Sequence, residues 1–356
     1  MKNAINLTVI TLGIILALTF STQAAERKIL LKTPLCFATS LPVLGDTIPV
    51  LAEEINAASN GTIRIKYYEP GKLVPAFEIL SAVSSGKVNA GFGSGAYWQG
   101  KIPEAALFSA IPFGPEAAEY LAWLYNGNGL KLYQEMYDNA GYHVKVLPYA
   151  VISPETSGWF SKPINGPEDL KGLKMRFFGL GGKVMQKLGV SVSLLPAGEI
   201  FQALEKGVID ATEFSFPAID QKLGFYKVVK YNYYPGWHQQ ATLLELLINK
   251  ETWNSMSESQ QALLEVVTKA NIVRTLAYCE AIQGKAIKEN VENRGVKNMY
   301  WSDEMLALFK TTWEEVAKEQ SQNSPAFKKI WEDMSAFRAE YAYWKNLGFL
   351  PRNTKQ

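Results

Sequence analysis

One order of elements occurs twice in this chain and limits it to a small set of folds. Apolar runs of strand length at 29–37, 62–68 and 88–92 alternate with helical patterns at 48–58 and 75–83. The same order returns as strands at 173–178, 190–195 and 208–212, separated by helices at 183–188 and 197–206. A β-α-β-α-β run specifies a parallel sheet with helices on its faces. Placing Gly86 on Gly207 also matches Ile79 with Ile200, Ala82 with Ala203 and Ala90 with Ala211. Each glycine is placed to end its helix in the left-handed conformation. The general likeness of βα units explains this match as well as an internal repeat does. Either way the chain has two similar α/β lobes, with a ligand cleft where their sheet ends face one another.

Past residue 250 the pattern becomes helical. Ser257 and Gln260 form a capping box that opens an unbroken helix to about Asn293, whose apolar positions suit packing along both lobes. Ser302 caps a second helix, and Pro325 opens a third that carries Phe327, Trp331, Phe337, Tyr341, Tyr343 and Trp344.

The first 24 residues read as a secretory signal. Lys2 supplies the positive end, 5–20 the apolar core, and Thr22-Gln23-Ala24 a small-x-small cleavage site. The apolar stretch is short for a membrane span. The expected divisions are 1–24 signal, 25–150 first lobe, 151–250 second lobe with a crossover back, 251–320 helices across both lobes, and 321–356 a C-terminal helix. A net charge of +2 without a Lys/Arg cluster argues against nucleic acid as a partner. Cys36 and Cys279 are the only cysteines and carry no bridge spacing, so both are read as buried thiols. His143 and His238 are the only histidines, and no HExxH, paired CxxC or GxSxG occurs.

The stretch from Lys174 to Gln239 carries the functional signal, above all GEIFQALEKGVIDATEF (Gly198–Phe214). It resembles the periplasmic solute-binding subunits of tripartite ATP-independent (TRAP) transporters, the DctP-type receptors. Within them it resembles the branch that binds 2-oxo acids with a metal ion and its lactate-binding relatives. The resemblance implies a two-lobed periplasmic solute-binding fold with crossover strands, a long spanning helix and C-terminal helices. It also implies export to the periplasm, delivery of ligand to membrane permease subunits, and a homodimer formed by exchange of the C-terminal helix.

Arg176 is the first candidate. A guanidinium grips a carboxylate through two parallel hydrogen bonds and stays charged when desolvated. Read from residues alone, a structural arginine paired to an acid is an equal explanation. The resemblance implies the carboxylate-binding role, because the family's arginine falls at this strand-to-loop position. Glu213 lies in a turn, where an acid is commonly just solvated. Glu245 sits inside the apolar run 241–248, and a buried carboxylate needs a cation or donors. The resemblance implies that Glu213, the carbonyl of Phe214 and Glu245 hold the metal, with Phe214 replacing the family's tryptophan. Glu155 stands where the family has glutamine, as a ligand to metal and substrate. Three acids tip the charge balance toward Ca²⁺ over Na⁺, and oxygen ligands suit both ions. Tyr97 and Trp98 are the first lobe's expected contribution, a hydroxyl and an apolar wall, with Ser40 adding a hydrogen bond. His238 is read as structural.

The expected function is therefore a receptor for a small 2-oxo or 2-hydroxy monocarboxylate, not an enzyme. The alternatives are an exported metal-dependent enzyme acting on 2-oxo acids, or a ligand sensor of the same fold. A catalyst needs a base or nucleophile beside the metal, and the expected site supplies only acids committed to the cation.

Overall fold

The computed structural model describes residues 26–350, so the expected signal sequence at 1–24 lies outside the described residues. The strands of the first half are β1 (Ile29–Pro34), β2 (Ile63–Tyr68), β3 (Ala90–Gly93), β4 (Val144–Ile152) and β5 (Gly158–Phe160). Then follow β6 (Lys174–Arg176), β7 (Ser191–Ser193), β8 (Ala211–Thr212), β9 (Tyr231–Tyr234), β10 (Thr242–Asn249) and β11 (Lys297–Tyr300).

These strands form the sheets of two lobes. In the first lobe β1 and β2 pair in parallel, a bridge from Leu35 to Phe92 links them to β3, and β10 runs antiparallel between β3 and β4. In the second lobe six strands follow the order β11-β9-β5-β8-β6-β7. The chain crosses between lobes after β4, returns after β9 through β10, and crosses again to add β11. That last return had been read as helical; four residues beside a helix end give too short a pattern to register as a strand.

Gly86 and Gly207 both take positive φ at the ends of their helices, as the sequence pattern requires. The capping box of Ser257 and Gln260 is formed and opens a helix from Glu258 to Arg294, roughly 55 Å long. This helix packs on β4 and on Thr47–Ala58 in the first lobe, and on Pro217–Leu223 in the second. It ties the lobes together. The helix Pro325–Gly348 lies on the chain's own first lobe, with Phe327, Ile330 and Met334 buried and Tyr343, Trp344 and Leu347 exposed. Cys36 and Cys279 are unpaired and buried. Among the described residues no helix is long and apolar enough to cross a membrane.

Candidate functional site

The site forms where strands of both lobes end. β6 ends in Arg176, β8 runs into Glu213 and Phe214, β4 leads into Glu155, and β9 leads through Pro235 into His238 and Gln239. Parallel strands that end together leave their following loops at one edge, which is why α/β folds place ligands there. From the first lobe come Phe37 after β1, Ser94 and Tyr97 after β3, and Leu244 on β10. Arg176, Glu155, Phe214 and Gln239 line a small hollow of about 20 Å³ with these first-lobe residues; Glu213 and His238 contact its walls rather than lining it.

Two glycines allow the second lobe's loops to meet. A Cβ on Gly236 would stand 2.2 Å from the carbonyl oxygen of Glu155, so only glycine lets the 235–239 loop lie against the 153–157 loop. The Glu155 N–H then donates to the carbonyl of Gln239 at 3.3 Å. A Cβ on Gly181 would come within 2.8 Å of the His238 Cβ, so that glycine makes room for the histidine.

Arg176 is 1 % exposed. Its Nη1 donates to the side chain of Glu213 at 2.8 Å and to its carbonyl at 2.7 Å, and its Nε donates to Leu195 at 3.3 Å. Phe178 and Phe214 flank the guanidinium at 5.8 and 5.1 Å. The Phe178 N–H also donates to Glu213 Oε1. Glu213 therefore spends one oxygen on holding Arg176 and the chain after β6. Its other oxygen, Oε2, is buried without a hydrogen bond, as are Glu155 Oε2 and Gln239 Oε1. The two free carboxylate oxygens, gathered out of water, fit a cation.

His238, expected to be structural, stands beside the two acids of the site. It is fully buried, and its Nε2 stands 3.6 Å from Oε2 of both Glu155 and Glu213. Burial alone would lower its pKa, but the two facing carboxylates outweigh burial and raise it to about 9. Burial pushes Glu155 up to about 7, with Glu213 adding to the rise and His238 and Ser215 opposing it. Glu155, Glu213 and His238 are a potential metal-binding group among the described residues.

Glu245 lies elsewhere. Its oxygens accept from Trp98 Nε1 at 2.5 Å, from Tyr137 Oη at 2.8 and 2.9 Å, and from the hydroxyl of Tyr133. These donors saturate it within the first lobe. Trp98 is thus committed to Glu245 and does not line the hollow. Ser40 is exposed and also outside it. Removing Glu245 from the metal set takes away the third acid, and with it the charge argument for calcium over sodium. Tyr97 does line the hollow, its hydroxyl buried without a partner. Burial raises its pKa, so it remains a donor at neutral pH.

Sequence reasoning missed Gln239, Ser215 and Thr242 as lining residues. The available signal was position: Pro235-Gly236-Trp237-His238-Gln239 leaves a strand end exactly as the 213–216 turn does, and carries one of only two histidines.

A family model for bacterial extracellular solute-binding proteins, family 7 (DctP), matches residues 37–323. The chain belongs to this family. A monocarboxylate 2-oxoacid-binding periplasmic protein of Nostoc sp. is 36% identical over 301 residues, covering 84% of this chain and 82% of the relative. Two solved TRAP periplasmic solute-binding proteins share the DctP architecture closely. The one from Colwellia psychrerythraea, with bound calcium and pyruvate, is 30% identical with a TM-score of 0.86, covering 90% of this chain and 97% of its own. The one from Pseudoalteromonas atlantica, with bound sodium and pyruvate, is 29% identical with a TM-score of 0.85, covering 89% and 96%. The DctP receptor expected from the sequence is what the chain is, with the two-lobed fold of its relatives.

Proposed function

We propose that this DctP protein captures a small 2-oxo or 2-hydroxy monocarboxylate, pyruvate-like or lactate-like, and delivers it from the periplasm to TRAP membrane subunits. The observation that carries the reading is a buried guanidinium lining the hollow beside free carboxylate oxygens. Arg176 takes the ligand carboxylate. Glu155, Glu213, Gln239 and the carbonyl of Phe214 would hold a cation, calcium or sodium as in the similar receptors. When bound, that cation supplies a positive centre for the C2 oxygen and one carboxylate oxygen, which a simple fatty acid cannot both offer. Tyr97 donates its hydroxyl to a ligand oxygen. Phe37, Leu44 and Ile152 close the hollow against water, which strengthens every charged contact inside.

His238 supplies the imidazole that an enzymatic reading lacked, so the test includes a search for product. Purified protein is dialysed against chelator and its melting followed with pyruvate, lactate, acetate and succinate, each with and without cation. Cation-dependent stabilisation by pyruvate or lactate, with pyruvate recovered unchanged, is expected. At a hundred times Kd this amounts to about 2.7 kcal/mol. Equal stabilisation by acetate, or turnover of pyruvate, removes the receptor reading.

The exposed Tyr343, Trp344, Leu347, Phe349 and Leu350 at the end of the last helix support a second copy as its partner. Light scattering should then give a dimer that becomes a monomer when the chain stops before Tyr341.

A further inference from the structure

The loop 235–239, which brings Gln239 to the hollow, is held from outside by one residue that follows the first lobe's strands. The Phe113 N–H donates to the Trp237 carbonyl at 2.7 Å, and the Phe113 ring stacks on Trp237 with centroids 5.9 Å apart. Trp237 is buried and also stacks on Phe309 at 4.5 Å. The middle of the loop is therefore fastened through both its backbone and its side chain.

Phe113 itself stands at φ +50°, in the left-handed region that bulky side chains avoid. A residue stays in that region only where fixed partners over-determine it. Trp237 fixes the N–H and the ring of Phe113. Its carbonyl is fixed from the opposite direction, by Arg338 Nη2 donating at 3.0 Å. Arg338 lies 225 residues further along the chain, on the helix Pro325–Gly348. Its Nε donates to Glu119 at 2.8 Å, and Glu119 is buried. One guanidinium thus spans an acid of the helix Ala117–Asn126 and the carbonyl of the strained residue. Without that donor the Phe113 carbonyl loses its partner, and the backbone is free to relax in a way that moves the N–H relative to Trp237.

The same helix offers an internal comparison. Lys345, about two turns further on, pairs with Glu116 at 3.2 Å and with Glu119 at 3.5 Å instead of with the Phe113 carbonyl. Both side chains fasten the last helix to the first lobe, but only Arg338 is joined to the ligand loop.

We infer that Arg338 is a positioning residue for the ligand site: through Phe113 it sets the place of the 235–239 loop, and with it the affinity for the anion. The affinity clause rests on the proposed reading; the placement of the loop is tested without any ligand.

The test compares the full chain as wild type, Arg338→Met and Lys345→Met by hydrogen exchange without ligand and by calorimetric titration of pyruvate in the presence of Ca²⁺. Amides of the 235–239 loop should exchange at least ~5-fold faster in Arg338→Met, and pyruvate should bind at least ~5-fold more weakly, the low end of coupling between separate sites. Lys345→Met should match wild type in both, although its last helix exchanges faster. Because Arg338→Met can impair folding, wild type alone gives a second readout. Coupling is reciprocal, so pyruvate with Ca²⁺ should slow exchange at Phe113 and around Arg338 as well as in the loop. Slowing confined to the loop overturns the inference. Unchanged loop exchange in Arg338→Met, or unchanged affinity where wild type binds pyruvate, also overturns it and leaves the receptor reading in place. Equal effects of the two substitutions overturn it too, since they mark general loosening of the helix. A loop loosened by Arg338→Met alone, while pyruvate binds to no form of the protein, upholds the positioning role and removes only the ligand assignment.

Discussion

Glu213 and Glu245 are both completely buried, each at a sheet of one lobe, and they serve opposite ends. Glu245 accepts from Trp98, Tyr133 and Tyr137 and has nothing left to offer. Glu213 gives Oε1 to Arg176 and Phe178 and keeps Oε2 without a hydrogen bond, 3.6 Å from His238. Burial alone therefore does not mark a binding acid. What marks it is an oxygen that the fold has desolvated and left without a donor, because that oxygen costs stability until a cation arrives.

The largest test of this contrast is Arg176→Met. It removes the ligand's ionic partner and strands Glu213 as a buried charge. We expect loss of measurable anion binding in calorimetry and a stability loss of about 3–5 kcal/mol in urea denaturation. Stable protein that still binds pyruvate would break the account of this cluster.

Exchanging the two acids for their amides separates them next. Glu245→Gln should cost roughly 1–3 kcal/mol of stability by leaving a donor unmatched, with the affinity for pyruvate and cation unchanged. Glu213→Gln should abolish cation-dependent pyruvate binding. If both variants weakened ligand binding alike, the contrast would be wrong.

A smaller effect is expected from Tyr97→Phe, which removes a hydroxyl that no protein group uses. Affinity for the organic anion should fall by about 0.5–1.5 kcal/mol, up to roughly tenfold, with melting of the ligand-free protein unmoved.

The pH dependence of metal-free protein is the gentlest test. His238 is raised to about 9, so its contribution to stability is complete below its ordinary 6.5 and lost as pH climbs through 9. Glu155 is raised to about 7, so its contribution is complete below 4.5 and lost as pH climbs through 7. Both slopes have the same sign. Melting temperature should decline steadily between pH 5 and 9, and the portion above pH 7 should be missing in His238→Gln.

Much of this site was legible before any coordinates. Arg176, Glu213 and Phe214 follow strands whose pattern is local, and Tyr97 follows another, so their positions at loop starts could be read along the chain. The glycines at 86 and 207 and the Ser257 cap are likewise local devices. Glu245 was misread because its donors lie 108 to 147 residues away, on elements whose packing no local pattern reveals. The register slip between Leu244 and Glu245 also decides which face Glu245 takes, and a two-residue alternation cannot show a bulge. His238 was passed over for the reverse reason: its partners Glu155 and Glu213 are reached only when Gly236 lets two loops touch. Ser40 was placed by loop position alone, and the chain turned it to solvent.

A crystal structure grown with pyruvate and a divalent cation, with the ion located by anomalous scattering, tests the central claim most directly. The ion should touch both Glu155 and Glu213, with the pyruvate carboxylate on Arg176. An ion bound at Glu245, or pyruvate seated away from Arg176, would contradict it.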